Sequence, residues 1–122
     1  MGLSTLVWGI TALVLATSTA GAQDPLAVAP SQYKILLEND RVRVLDYTSK
    51  PGDKVGVHSH PPYVSYYLTD CKVKTVFPDG RTVETPRKAG DVLWNEPGTH
   101  TLHQNSGAAC HIILVEPKPA KM

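Results

Sequence analysis

The sequence predicts a single all-β domain, and three observations carry that expectation. From Tyr33 onward the apolar residues show no 3.6-residue period. β-Branched and aromatic residues gather instead in short runs, and Gly, Pro, Asn or Asp interrupt them roughly every eight to twelve positions. The chain of 122 residues has room for one small domain. Neither a parallel βαβ pattern nor a solenoid-length repeat is present, so the choice lies between a sandwich and a barrel.

The elements follow in order. Residues 1–22 carry no charged side chain, and Leu6 to Ala16 is an apolar run of signal-peptide length, short for a bilayer span. Ala20-Gly21-Ala22 has the small-x-small form that export peptidases cut, leaving Gln23 as the new N-terminus. The expectation is an exported protein, periplasmic or secreted, with no stable membrane anchor after cleavage; the other reading of the run is an anchor or a buried helix. Residues 23–32 read as an extended lead-in, with Pro25 and Pro30 opposing a helix. Tyr33 to Leu37 is a strand and Glu38-Asn39-Asp40 a turn. A second strand carries Val42, Val44 and Tyr47, with Arg41 and Arg43 on its opposite face. Pro51-Gly52-Asp53 turns into a run ending His58-Ser59-His60. Tyr63 to Thr69 is a strand, and Lys72 to Phe77 alternates with its charges outward. Pro78-Asp79-Gly80 closes a hairpin whose glycine supplies the positive φ, and Thr82 to Thr85 returns. Gly90-Asp91 leads into Val92-Leu93-Trp94, Pro97-Gly98 into Thr99 to His103, and His111 to Val115 closes the fold. Residues 117–122 form a loose tail.

Composition excludes some partners. A formal net charge of +1 offers no basic surface for nucleic acid. Tyr63, Tyr67 and Trp94 are too scattered to form a base-stacking platform, so nucleic acid is not an expected partner. The two cysteines, Cys71 and Cys110, are candidates for a disulfide in an exported protein, and no Cys-x-x-Cys spacing suggests redox chemistry.

His58 and His60 are the residues with the most chemistry to offer. One residue apart on a strand, they point to the same side. Paired imidazoles are poor core formers, because each brings ring nitrogens that need partners, but they are good metal ligands. The alternative is a surface His-Ser-His at a strand end.

Two motifs in order then give a resemblance. Gly52 followed after five residues by His58-Ser59-His60 matches the first motif of the cupins. Gly90-Asp91-Val92-Leu93-Trp94 followed by Pro97-Gly98-Thr99-His100 matches the second. The chain resembles small single-domain bacterial cupins over residues 33–116. This implies a cupin-type jelly-roll β-barrel and a metal site made by His58, His60 and His100. The departures are specific. The family glutamate falls at Val64 or Ser65, Glu96 stands where the motif has proline, the step from Gly98 to His100 is one residue short, and the terminal Asn is Gln104 or Asn105. Three neutral imidazoles can hold a divalent ion (iron, zinc, manganese, nickel or copper) and leave a position open. Losing the carboxylate raises the charge of the site and favours an anionic ligand.

The remaining candidates are weaker. Tyr66 shares parity with His58 and His60, so it is expected beside the metal as a hydrogen-bonding or acid group, or equally as packing. Trp94 and Leu102 are candidate pocket wall. His103, three residues past His100, should face away as a rim or surface histidine unless a bulge turns it inward; His111 reads as a partly exposed structural residue. The resemblance also puts the end of the Tyr63–Thr69 strand beside the start of the closing strand, implying a Cys71–Cys110 disulfide. Functionally, the residues point to an exported metal-binding protein with a small-molecule ligand. It is either a metal-dependent oxygenase, lyase or isomerase, or a non-catalytic binding or sensing module; a metal-free barrel is a third reading. A homodimer through edge strands is a further expectation from the resemblance.

Overall fold

A computed structural model of the chain describes Gly2 and residues 23–120. The expected export signal therefore lies, but for Gly2, outside the described residues. Among the described residues the elements are a short helix α1 (Pro25–Val28) and eleven strands. The strands are β1 (Tyr33–Glu38), β2 (Val42–Ser49), β3 (Lys54–Val55), β4 (His58–His60), β5 (Tyr63–Tyr67), β6 (Cys71–Val76), β7 (Thr82–Arg87), β8 (Val92–Asn95), β9 (Gly98–His100), β10 (Leu102–Asn105) and β11 (Cys110–Pro117). They form a five-stranded sheet in the order β1-β2-β11-β5-β8, a four-stranded sheet β3-β10-β6-β7, and a two-stranded ladder β4-β9. The sheets do not close into one continuous ladder. The architecture is a double-sheet jelly roll, which leaves edges that an up-and-down barrel would not have.

The core lies between the sheets. Tyr33, Leu45, Tyr47, Ile112 and Leu114 come from the large sheet, and Val55 and Cys71 from the smaller one. On β11 the alternation is clean: Cys110, Ile112, Leu114 and Glu116 are all buried. Leu45, with none of its surface exposed, sits opposite Leu114 across the β2–β11 ladder. Turn chemistry sets where the strands begin. Gly80, at φ 87°, closes the β6–β7 hairpin, and Asn39 Oδ1 accepts the backbone N–H groups of Arg41 and Val42 between β1 and β2. Cys71 and Cys110 form a disulfide with Cα atoms 5.2 Å apart. Cys71 opens β6 and Cys110 opens β11, so the bridge joins the two large sheets rather than neighbouring strands of one sheet.

Two local expectations fail for physical reasons. The lead-in is not wholly extended, because Pro25 occupies the first helical position, where its missing N–H costs nothing, and Asp24 caps the turn by accepting from Leu26 N–H at 3.0 Å. Arg43 does not lie on the face opposite the core. It shares the inward row of β2 with Leu45 and Tyr47, because Glu116 stands directly across from it on β11 and neutralises it.

Candidate metal centre

The ladder β4–β9 builds the site. His58 lies directly across from His100 and His60 across from Gly98, while Ser59 and Thr99 pair between them through their hydroxyls at 2.7 Å. Alternation along β4 puts both its imidazoles on the face away from Ser59, and cross-strand pairing adds the third. The ring centroids are 4.9 Å apart for His58 and His60, 5.1 Å for His58 and His100, and 5.7 Å for His60 and His100. One ligand nitrogen from each of the three lies within 4.8 Å of the other two. His58 and His60 are buried, and His100 is partly exposed to the cavity.

The hydrogen bonds favour a cation. His58 Nδ1 lies 2.7 Å from the Gly56 carbonyl, which can only accept, so Nδ1 carries the proton and Nε2 keeps its lone pair. That Nε2, His60 Nδ1 and His100 Nδ1 are all buried without a hydrogen-bond partner in the protein. A buried polar atom left unsatisfied costs about 1–3 kcal/mol, and one on each of three neighbouring rings is poor packing for core histidines but suits rings that serve as ligands. The residues present therefore fit a divalent ion held by nitrogen. Burial lowers the His58 pKa against the opposing effect of the Gly56 bond, with the nearby His60 adding to the lowering. Burial, then repulsion from His58 and His60, holds His100 down to about 4. Burial and mutual repulsion thus favour the neutral form of His58 and His100, the form that binds metal.

The cluster opens onto a cavity of about 340 Å³ that includes Tyr63, Thr75, Arg87, Trp94 and Asn95 in its wall. A cleft of about 520 Å³ lies on the outer surface around Lys50, Asp53 and His111. It is larger, but no set of three ligating side chains converges there among the described residues. Behind His60 the structure supplies a carboxylate that the sequence reasoning passed over. Glu116 Oε2 is 3.9 Å from His60 Nδ1, while Glu116 Oε1 accepts from Arg43 Nε at 2.6 Å. Its pKa is lowered although burial alone would raise it. We attribute this chiefly to the Arg43 bond and charge, because 3.9 Å is too long for a hydrogen bond from His60. The parity of Glu116 with Ile112 and Leu114 was the signal that could have found it.

Other candidates are redistributed. Tyr66 points outward, 43% exposed, and does not approach the cluster; Tyr63, Ser65 and Tyr67 face inward instead. Parity counted from β4 fails because Pro61-Pro62 separates it from β5, and the two strands belong to different sheets. Of the two positions expected for the family glutamate, Ser65 is the buried one, and its hydroxyl accepts from Asn95 Nδ2 at 3.1 Å. His103 is not a rim or surface residue. It lines the cavity, stacked on His100 at 5.8 Å and edge-on to Tyr47 at 5.9 Å. The strand bends at Thr101 as it passes from β9 into β10, so alternation restarts and residues three apart both face inward. Burial, reinforced by repulsion from His100, lowers its pKa to about 3. Trp94 forms the exposed rim of the cavity, its Nε1 donating to Glu96 at 2.9 Å, while Leu102 lies outside the wall, paired with Val76. His111 lies on the outer face, bonded to Asp46. Asn105 is buried and holds the loop before β11, donating to Ser49 Oγ and to the Ala108 carbonyl, each at 2.9 Å.

No protein-family model matches the sequence, and no curated protein does. Solved structures do match. A cupin domain from Bordetella pertussis aligns with a TM-score of 0.66 at 22% identity, over 71% of this chain and 92% of its own. An RmlC-like cupin with a double-stranded β-helix fold from Methanocaldococcus jannaschii aligns with a TM-score of 0.56 at 15% identity, over 70% and 78%. An oxalate decarboxylase variant from B. subtilis aligns with a TM-score of 0.52 at 18% identity, over 74% of this chain but 25% of the decarboxylase. The chain thus has the double-stranded β-helix fold seen in these cupin structures.

Proposed function

We propose that the protein is an exported metalloprotein that binds a small anionic molecule at a metal held by His58, His60 and His100, and transforms it as an oxygenase, lyase or isomerase. The observation that carries the proposal is the convergence of His58, His60 and His100, two buried and one partly buried, with one ligating nitrogen from each within 4.8 Å of the other two. Export rests on the apolar run Leu6 to Ala16, followed by Ala20-Gly21-Ala22, and on the Cys71–Cys110 disulfide. A bound divalent ion supplies Lewis acidity and an open coordination position. The protein's own groups do the rest. Arg87, a cation in the cavity wall, offers a two-pronged contact for a carboxylate. Tyr63 packs on His60 at 4.8 Å, and burial raises its pKa, so its phenol remains a hydrogen-bond donor. A cavity of about 340 Å³ is at the small end of ligand sites, which suits a compact acid. One fold neighbour is named for decarboxylating oxalate, a small dianion, which accords with this reading.

A second reading, binding or sensing without turnover, is favoured by one observation. The carboxylates near the cavity are already engaged, Glu96 by Trp94 and Glu116 by Arg43, which leaves neither poised as a base. The test begins with metal analysis of purified protein spanning residues 23–122. About one equivalent in the wild type and little in His100→Ala or His60→Ala supports the centre; a metal-free wild type after incubation with each candidate ion overturns it. A panel of small carboxylates, assayed with and without dioxygen, then separates the readings. Product formation supports the enzyme, and saturable binding with no product supports the sensor.

A further inference from the structure

Glu116 is the buried charged group that the donor set does not use, and its surroundings are specific. It ends the inward row of β11, with 3% of its surface exposed, directly across the ladder from Arg43. Arg43 Nε donates to Glu116 Oε1 and Arg43 Nη1 donates to Asp24 Oδ2, each at 2.6 Å. Asp24 caps the short helix α1, and the residue before it, Gln23, accepts the backbone N–H of Ser59, which lies between two of the ligating histidines. The second carboxylate oxygen of Glu116 has no hydrogen-bond partner, and neither has His60 Nδ1, the atom that faces it at 3.9 Å.

Two complementary groups are thus buried face to face, and no other partner is offered to either. A carboxylate oxygen accepts only, so a bare lone pair on His60 Nδ1 would be repelled, whereas an N–H there is attracted. From this arrangement we infer that Glu116 is a positioning residue for the metal centre. It holds the proton of His60 on Nδ1, presents Nε2 as the ligand atom, and is itself fixed by Arg43 and Asp24. The inference rests on the metal centre proposed above and adds the device that orients one of its ligands. Gly56 sets the same tautomer in His58 through a hydrogen bond to its carbonyl, whereas Glu116 acts on His60 by its charge across 3.9 Å. The carboxylate, arginine and carboxylate together leave one negative charge behind His60. The site therefore recovers, one shell further out, a charge that Val64 and Ser65 do not provide at the metal. A ligand histidine oriented by a carboxylate also becomes a more basic donor, and removing such a partner typically weakens metal affinity 10- to 100-fold.

Two measurements test this. The first is the ¹⁵N–¹H spectrum of the imidazoles in the metal-free wild type near pH 7.5. It should show His60 as the Nδ1–H tautomer, and an Nε2–H tautomer overturns the inference with no variant needed. The second is metal affinity by competition with a chelator, using zinc as the probe, in Glu116→Gln, which keeps an oxygen for Arg43 but removes the charge. The expected result is a 10- to 100-fold loss of affinity in a protein whose thermal midpoint without metal stays within a few degrees of the wild type, with partial recovery in Glu116→Asp. Affinity unchanged within twofold overturns the inference. A wild type that takes up no metal defeats the proposed function, and the His60 tautomer then decides the role of Glu116 by itself.

Discussion

Acid should unfold this protein from its centre. His103 is packed, partly buried, against His100 and Tyr47, and its pKa is lowered from 6.5 to about 3. The unfolded chain takes up this proton near pH 6.5 and the folded chain only near 3, so the unfolded state binds more protons throughout that window. The stability due to a neutral His103 is therefore fully present above pH 6.5 and is lost as pH falls toward 3. At pH 4 the loss from this residue is about 3 kcal/mol, taking 1.36 kcal/mol per unit. His100, held down to about 4, adds in the same direction. Its share is smaller because it is partly open to the cavity and shares its repulsion with His103. Against a typical total of about 5–15 kcal/mol for a small domain, the effect is large. Urea unfolding of the metal-free protein at pH 7, 6, 5 and 4 measures it directly. The expected midpoint falls steadily below pH 6.5, and His103→Phe flattens the curve. A midpoint constant from pH 7 to 4 would refute the neutral burial of these rings.

Three further outcomes follow from other parts of the molecule. Leu45→Ala opens a cavity at a fully buried position facing Leu114 and should cost about 2–5 kcal/mol in denaturant unfolding; a loss under 1 kcal/mol would mean that the sheets close over the gap. Replacing both Cys71 and Cys110 by Ser removes a bridge between residues 39 apart in sequence and should cost about 2–4 kcal/mol, while metal stoichiometry measured below the new transition should stay unchanged. Arg87→Met should weaken binding of a small carboxylate about tenfold or more in calorimetric titrations, leaving metal content untouched. Equal affinity in the variant would place the anion elsewhere.

The succession of strands along the chain was legible because turn chemistry bounds them, as at Asn39 and Gly80. The three converging histidines were legible from two motifs that remain recognisable despite the missing glutamate and the shortened step from Gly98 to His100. What the sequence hid lies where alternation crosses a break. Tyr66 was misplaced because parity was carried through Pro61-Pro62 from one sheet to another. His103 was turned outward because the bend at Thr101 does not announce itself as glycine or proline. Arg43 and Glu116 were missed for a different reason. Each is charged, each sits in an inward row, and each is acceptable there only because the other stands opposite, a pairing between strands distant in sequence.

The support behind His60 has a consequence for how the molecule matures. Asp24, Arg43, His60 and Glu116 meet only when the first described segment, two interior strands and the final strand have all docked. Contacts between such remote stretches of chain form late, because their loops are the most costly to close. An ion held by the proposed centre would report completed assembly: fraying at Asp24 or Glu116 would loosen its grip before the interior melts, so metal loss should serve as an early alarm for damage there.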